Sequence, residues 1–157
     1  MRKIKALLTA FTLMLLIMLS SCTSLSEPEV SEITDAVTSA VTLESGFSTA
    51  TDAEISVLFG CDIGDYEAVS VLYSTDAMYA DIIALFKSEN SQVQSETREF
   101  LDEFIESRLA DFTGYAPEEV KKIEDSGVIS YGLYDILVIS SDFDAAESAV
   151  DKLFRAD

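Results

Sequence analysis

The segment Gly127-Val128-Ile129-Ser130-Tyr131-Gly132-Leu133-Tyr134-Asp135-Ile136-Leu137-Val138-Ile139-Ser140 decides the fold. Its β-branched and aromatic residues read as two strands, 128–131 and 133–140, turning around Gly132, and neither run is long enough to be a buried helix. Upstream, Tyr66 to Ser74 alternates, with Val69, Val71 and Tyr73 on one side, as a half-buried strand does. Ala80 to Lys87 carries the unbroken run Ile82-Ile83-Ala84-Leu85-Phe86, which suits a strand covered on both faces.

Each strand pair leads into a helix. Between Ser91 and Thr113, the residues Val93, Phe100, Leu101, Phe104, Ile105, Leu109 and Phe112 share one stripe, with Glu99, Asp102, Glu103 and Glu106 opposite. Like charges at helical spacing cost ~0.2–0.5 kcal/mol per pair, far less than burial of the phenylalanines gains. Gly114 fits a left-handed cap, with Tyr115 expected to fold back toward Leu109. Downstream of Ser140, Ser141 or Asp142 is placed to cap a helix with the stripe Phe143, Ala146, Val150, Leu153 and Phe154. Pro117-Glu118-Glu119 opens a shorter helix that Lys121-Lys122 approaches from the other end, in agreement with the helix dipole, and Gly127 is expected to close it. Near the start, Val30, Ile33, Val37, Ala40 and Val41 space a helix over 30–42, and Thr51-x-x-Glu54 is a capping box for a short helix that Gly60 ends. The expected architecture is α+β, an antiparallel sheet of about four strands with helices packed on one face, forming a single domain over residues 30–157. Asp81-Ile82-Ile83 and Asp135-Ile136-Leu137 occupy matching places, as do Phe100 and Phe154, so two degenerate repeats and two unrelated hairpins both remain open.

Composition narrows the chemistry. The 157 residues hold 10 Lys+Arg against 29 Asp+Glu, a net charge of -19, with no histidine and no tryptophan. Such a chain repels nucleic-acid phosphate, and no Ser/His/Asp or Cys/His catalytic group and no imidazole metal site can be built from it.

Residues 1–21 follow the pattern of a secretory signal peptide: Arg2, Lys3 and Lys5, an apolar run from Ala6 to Leu19, then small residues. At ~1.5 Å per residue that run spans roughly 21 Å, short of the ~30 Å of a bilayer core, so cleavage is expected rather than a membrane span. The run ends in Leu19-Ser20-Ser21-Cys22, which resembles the lipobox of bacterial lipoproteins, where the cysteine thiol takes a diacylglyceryl group and the signal is cut just before it. A plain secreted product, with or without a Cys22–Cys61 disulfide, is the alternative. On the lipobox reading, 22–29 is a lipidated tether, and Cys61 becomes an unpaired thiol that reads as a small buried hydrophobe. Removal of the signal takes three basic residues and no acidic one. The remaining body, more negative still, would need its covalent lipid and not its charge to stay on a membrane.

The lipobox, the Ile-Ile-Ala-Leu-Phe-Lys strand before a long helix, the Tyr115-x-Pro117 step and the Gly127–Ser140 segment together resemble a family of small Gram-positive, largely clostridial, lipoproteins, the domain of unknown function DUF4358. The resemblance runs from about Asp52 onward. It implies a lipoprotein on the outer face of the cytoplasmic membrane, with no established activity and no catalytic residue to carry over.

Candidate chemistry is sparse. Asp142-Phe143-Asp144-x-x-Glu147 could present three carboxylates to a Ca²⁺ ion, yet it lacks the glycine and spacing of an EF-hand, and acidic residues at a helix start serve capping equally well. No metal site is assigned to it, and no cofactor is expected beyond the lipid on Cys22. Asp62-x-x-Asp65 after Gly60 reads as turn chemistry. No Ser-x-x-Lys pattern follows Cys22. Among the tyrosines, Tyr131 and Tyr134 flank the hairpin turn and suit contact with an envelope protein, peptide or glycan, or else cover the sheet end. These residues point to a non-enzymatic binding or scaffolding module, lipid-anchored at the cell membrane on its extracytoplasmic side. A carboxylate-dependent envelope hydrolase and a solute-capture accessory protein are the rivals, and the hydrolase requires a cleft holding carboxylates from distant parts of the chain.

Overall fold

A computed structural model of the chain describes residues 27–44 and 46–155. The signal segment, Cys22 and most of the expected tether lie outside them. Five strands, β1 (Phe47–Thr49), β2 (Tyr66–Ser74), β3 (Ile82–Ser88), β4 (Gly127–Tyr131) and β5 (Tyr134–Ile139), form an open antiparallel sheet in the order β1-β2-β3-β5-β4. Five helices accompany it among the described residues: α1 (Val30–Ala40), α2 (Asp52–Phe59), α3 (Ser91–Phe112), α4 (Pro117–Glu124) and α5 (Phe143–Phe154). The fold is α+β, as the strand and helix patterns indicate.

The helices cover both faces of the sheet instead of one. In β3, Ile82, Ala84 and Phe86 join a core with Phe59 of α2, Leu101 and Phe112 of α3 and Ile123 of α4. Ile83 and Leu85 of the same strand point the other way, into a core with Ile33 and Val37 of α1 and Ala146, Val150 and Phe154 of α5. A strand apolar on every residue needs two covers, and the run Ile82–Phe86 already carried that sign. The fifth strand, β1, is three residues long, too short to show an alternation, and completes the sheet by pairing Phe47 with Ser74 and Thr49 with Leu72.

Local signals act as read at most helix ends. Thr51 and Glu54 make the reciprocal capping box of α2, and Gly60 ends that helix in the left-handed region at φ 67°. Asn90 caps α3 by accepting from Gln92 and Val93 amides. Tyr115, after Gly114 at φ 98°, stacks on Phe112 in the last turn of α3. Two details differ. α4 ends at Glu124, and Gly127 is the first residue of β4. Asp142 stands at the N-terminus of α5 without capping it, since its carboxylate instead accepts the Thr42 amide at 2.9 Å.

The two hairpin units are not a repeat. β2–β3 and β4–β5 lie about a twofold axis normal to the sheet, between β3 and β5, and such an axis would leave their following helices on one face. α3 and α5 lie on opposite faces. No rotation superposes the units, so the shared Asp-Ile-(Ile/Leu) pattern marks two similar strand starts and nothing more.

β3 and β5 run in opposite directions, with Ile82 beside Ile139 and Lys87 beside Tyr134. The molecule therefore has two ends, one at the β2–β3 turn and one at the β4–β5 turn. At ~3.4 Å per residue, β3 separates them by roughly 20 Å.

Candidate functional site

The densest ionic group in the described chain sits at the β2–β3 end. Pro117 fixes the start of α4, and Glu119, Lys122 and Ile123 then share one stripe at i, i+3 and i+4, all three buried. A charged pair on the core face of a helix needs partners there. Lys122, with 5% of its side chain exposed, donates to Asp81 Oδ2 at 2.8 Å, Glu44 Oε2 at 2.9 Å and Glu119 Oε1 at 3.0 Å. The second oxygen of Glu119 accepts the Ala80 amide at 2.7 Å, which ties α4 to the chain two residues before β3. Burial works against the Lys122 charge, but three carboxylate hydrogen bonds outweigh it and hold its pKa above the ordinary lysine value. Burial pushes the Asp81 carboxyl above the usual carboxylate range; Lys122 opposes the shift, and the negative charges of Glu119 and Glu44 add to it.

Asp81 also lines a half-open cavity of ≈ 450 Å³ between α2, the β2–β3 hairpin and α3. The apolar walls come from Phe59, Ile82, Phe100 and Phe104, with Leu58 partly exposed at the mouth. Polar groups are supplied by Tyr73, Tyr79, Ser107 and Arg108, with Glu103 and Asp111 on the α3 side. Arg108 lies over the Phe112 ring at 4.8 Å and 3.9 Å from Asp111. Asp81 has a fully buried side chain whose Oδ1 has no hydrogen-bond partner. A pocket of mixed aromatic and polar lining beside an under-coordinated buried carboxylate has the form of a ligand site. The same cavity also gathers carboxylates from β3 and α3, far apart in sequence.

This cluster is absent from the sequence-predicted sites. The one available signal was Glu119 and Lys122 falling on the stripe of Ile123, where exposed helix charges do not belong.

The residues singled out by sequence lie elsewhere. Tyr134 is buried, its hydroxyl donates to the Pro28 carbonyl at 3.0 Å, and its ring meets Phe154 edge-on. Tyr131 stacks on the other side of the same region, 4.7 Å from the Phe154 ring and nearly parallel to it. Both cover the sheet end at the β4–β5 turn and leave only part of Tyr131 facing outward. Asp142 is engaged with Thr42, and Asp144 and Glu147 are exposed along α5. No group of three or more His, Cys, Asp or Glu is placed to hold a metal ion among the described residues. Asp62 accepts the Gly64 amide in a turn, as its sequence setting suggests. The Cys61 thiol is half-buried, and burial raises its pKa, which disfavours the nucleophilic thiolate.

The β4–β5 end has its own buried aspartate. Asp135 Oδ1 accepts from Arg98 Nε at 2.9 Å and from the Ser130 hydroxyl, and its Oδ2 has no partner. Gln94 donates to the Gly132 carbonyl at 2.7 Å, so α3 clamps the turn. Lys87 pairs with Glu67 at 2.7 Å and lies over the Tyr134 ring. No helix among the described residues is long and apolar enough to cross a membrane.

A family model described as Domain of unknown function (DUF4358) matches residues 39–140, which takes in every strand and α2 to α4, but only the last two residues of α1 and none of α5. No curated protein and no solved structure matches the chain.

Proposed function

The chain belongs to the DUF4358 family, whose description carries no activity, and from that premise we propose an extracytoplasmic lipoprotein, anchored by a diacylglyceryl group on Cys22, whose domain binds an envelope component without transforming it. The observation that carries the binding half is the cavity at the β2–β3 end, walled by aromatic rings and polar side chains and lined by Asp81, a fully buried residue with one unpartnered carboxylate oxygen. The lipobox Leu19-Ser20-Ser21-Cys22 behind a basic and apolar signal supports the anchor. Absence of histidine from the whole chain, and a single mature thiol that holds its proton, leave the site without the usual activated nucleophile. A peptide or glycan segment is a fitting occupant, because the walls offer aromatic rings beside hydroxyls and carboxylates.

A photoreactive side chain at Leu58, on the cavity mouth, tests the reading in intact cells. It should yield a discrete adduct that is lost when Ser107→Trp fills the cavity, while the same group at Asp102, exposed on the side of α3 opposite the lining residues, should not. Identical patterns at Leu58 and Asp102 would contradict it.

One observation favours a second reading. Asp81, with its raised proton affinity, shares the cavity with Glu103 and Asp111, the kind of arrangement a carboxylate-dependent hydrolase uses for acid and base. That reading requires turnover of an envelope polymer that both Asp81→Asn and Glu103→Gln abolish while binding survives.

A further inference from the structure

We infer that the anchored domain stands with its β4–β5 turn against the lipid headgroups and its cavity end pointing away from the membrane. The inference rests on lipidation of Cys22 and adds to it an orientation. The described chain begins at Glu27, and Pro28 is buried, its carbonyl held by the Tyr134 hydroxyl at 3.0 Å, so the tether joins the body at the β4–β5 end. Glu27 lies 4.0 Å from Lys87, the neighbour of Tyr134 across β3 and β5, which places a second contact of the tether at that end.

Length then limits the geometry. From Cys22 to Pro28 the chain can reach at most roughly 20 Å at ~3.3–3.6 Å per residue. The opposite end, with Asp81, Tyr79 and the β2–β3 turn, lies a further roughly 20 Å away along β3. Turning the cavity toward the bilayer would require the tether to double back fully extended along the whole sheet, leaving no length to pass around its edge. Charge does not decide between the two ends, because Lys87, Arg98 and Arg155 at the tethered end are each paired with carboxylates, as Lys122 is at the far end. Tether length alone sets the orientation.

The lipid surface is therefore the partner of the β4–β5 end, and the cavity is left open to the cell wall side. Single cysteines report this in the full chain expressed in a Gram-positive host. Glu89→Cys lies beside Ser88, whose amide donates to Leu133 at the tethered end, and Met78→Cys lies in the β2–β3 turn; both positions are exposed in the described chain. Membranes from cells carrying each variant are labelled with a maleimide on a bulky polyethylene glycol, before and after detergent, and the parent chain with its half-buried Cys61 sets the background. Labelling of Glu89→Cys should accelerate several-fold in detergent, with Met78→Cys unchanged. Equal acceleration at both positions, none at either, or acceleration at Met78→Cys alone overturns the orientation. A chain missing from the membrane fraction altogether is a different result, which removes the anchor and the orientation with it.

Discussion

Asp81 and Asp135 stand at matching places in two hairpin units, one just before β3 and the other near the start of β5, and both are buried with one oxygen unpartnered. Their surroundings diverge. Asp81 meets a lysine that is itself buried and shared with Glu44 and Glu119, beside a cavity. Asp135 meets Arg98, whose side chain is 49% exposed, and a serine hydroxyl, beneath a helix that clamps the turn. The difference teaches that the same three-residue pattern secures a strand start at one end of the sheet and builds a polar site at the other. What differs is the partner: a wholly enclosed point charge must be matched inside the protein, whereas a half-exposed guanidinium is partly solvated by water.

Removing the enclosed cation should produce the largest effect. Lys122→Met leaves Asp81 and Glu119 buried without their counter-charge, and breaking such a set costs about 3–5 kcal/mol. Urea denaturation should show the midpoint falling steeply with little change in slope. Arg98→Ala tests the other end, where the half-exposed cation makes the loss smaller, about 1 kcal/mol, because Ser130 still donates to Asp135. If the two variants were equally destabilised, the contrast between the ends would be lost.

A pH series sharpens the comparison further. Folding raises the Asp81 pKa, so between the ordinary carboxylate value and the raised one the native chain holds a proton that the unfolded chain has released. Stability contributed by this group is therefore fullest at the acid end of that interval and falls as pH rises through it. Asp81→Asn should flatten that fall, as read from denaturation midpoints across the acid range. The smallest effect is expected at Asp142, partly exposed and bonded to the Thr42 amide, which lowers its pKa. Its contribution is present at neutral pH and fades as pH falls through its lowered pKa, so Asp142→Ala should lose a little stability near neutrality and none in strong acid.

The strands and helices were legible in the sequence wherever a side-chain period ran long enough to show: the stripe of α3, the unbroken run of β3, the capping box at Thr51 and the glycine at 60. Layering was less so. The stripes of α1 and α5 state that each helix has an apolar side, but which face of the sheet receives it depends on the crossing of the chain, which no local pattern encodes. β1 went unread because three residues carry no period. The ion cluster beside the cavity draws on Glu44, Asp81, Glu119 and Lys122, which the α1–β1 loop, the β2–β3 turn and α4 bring together, and in an acidic chain each carboxylate resembles the rest. Tyr131 and Tyr134 were visible as a pair at a turn, but their engagement with Phe154 and Pro28 depended on α5 and the tether arriving at the same place.

The anchor on which both the proposed role and the orientation depend is decided by the intact mass and N-terminal sequence of the chain isolated from membranes. The account predicts a chain that begins at Cys22 and carries a diacylglyceryl group on its sulfur. A chain that keeps Met1, or begins elsewhere with an unmodified Cys22 thiol, would contradict it.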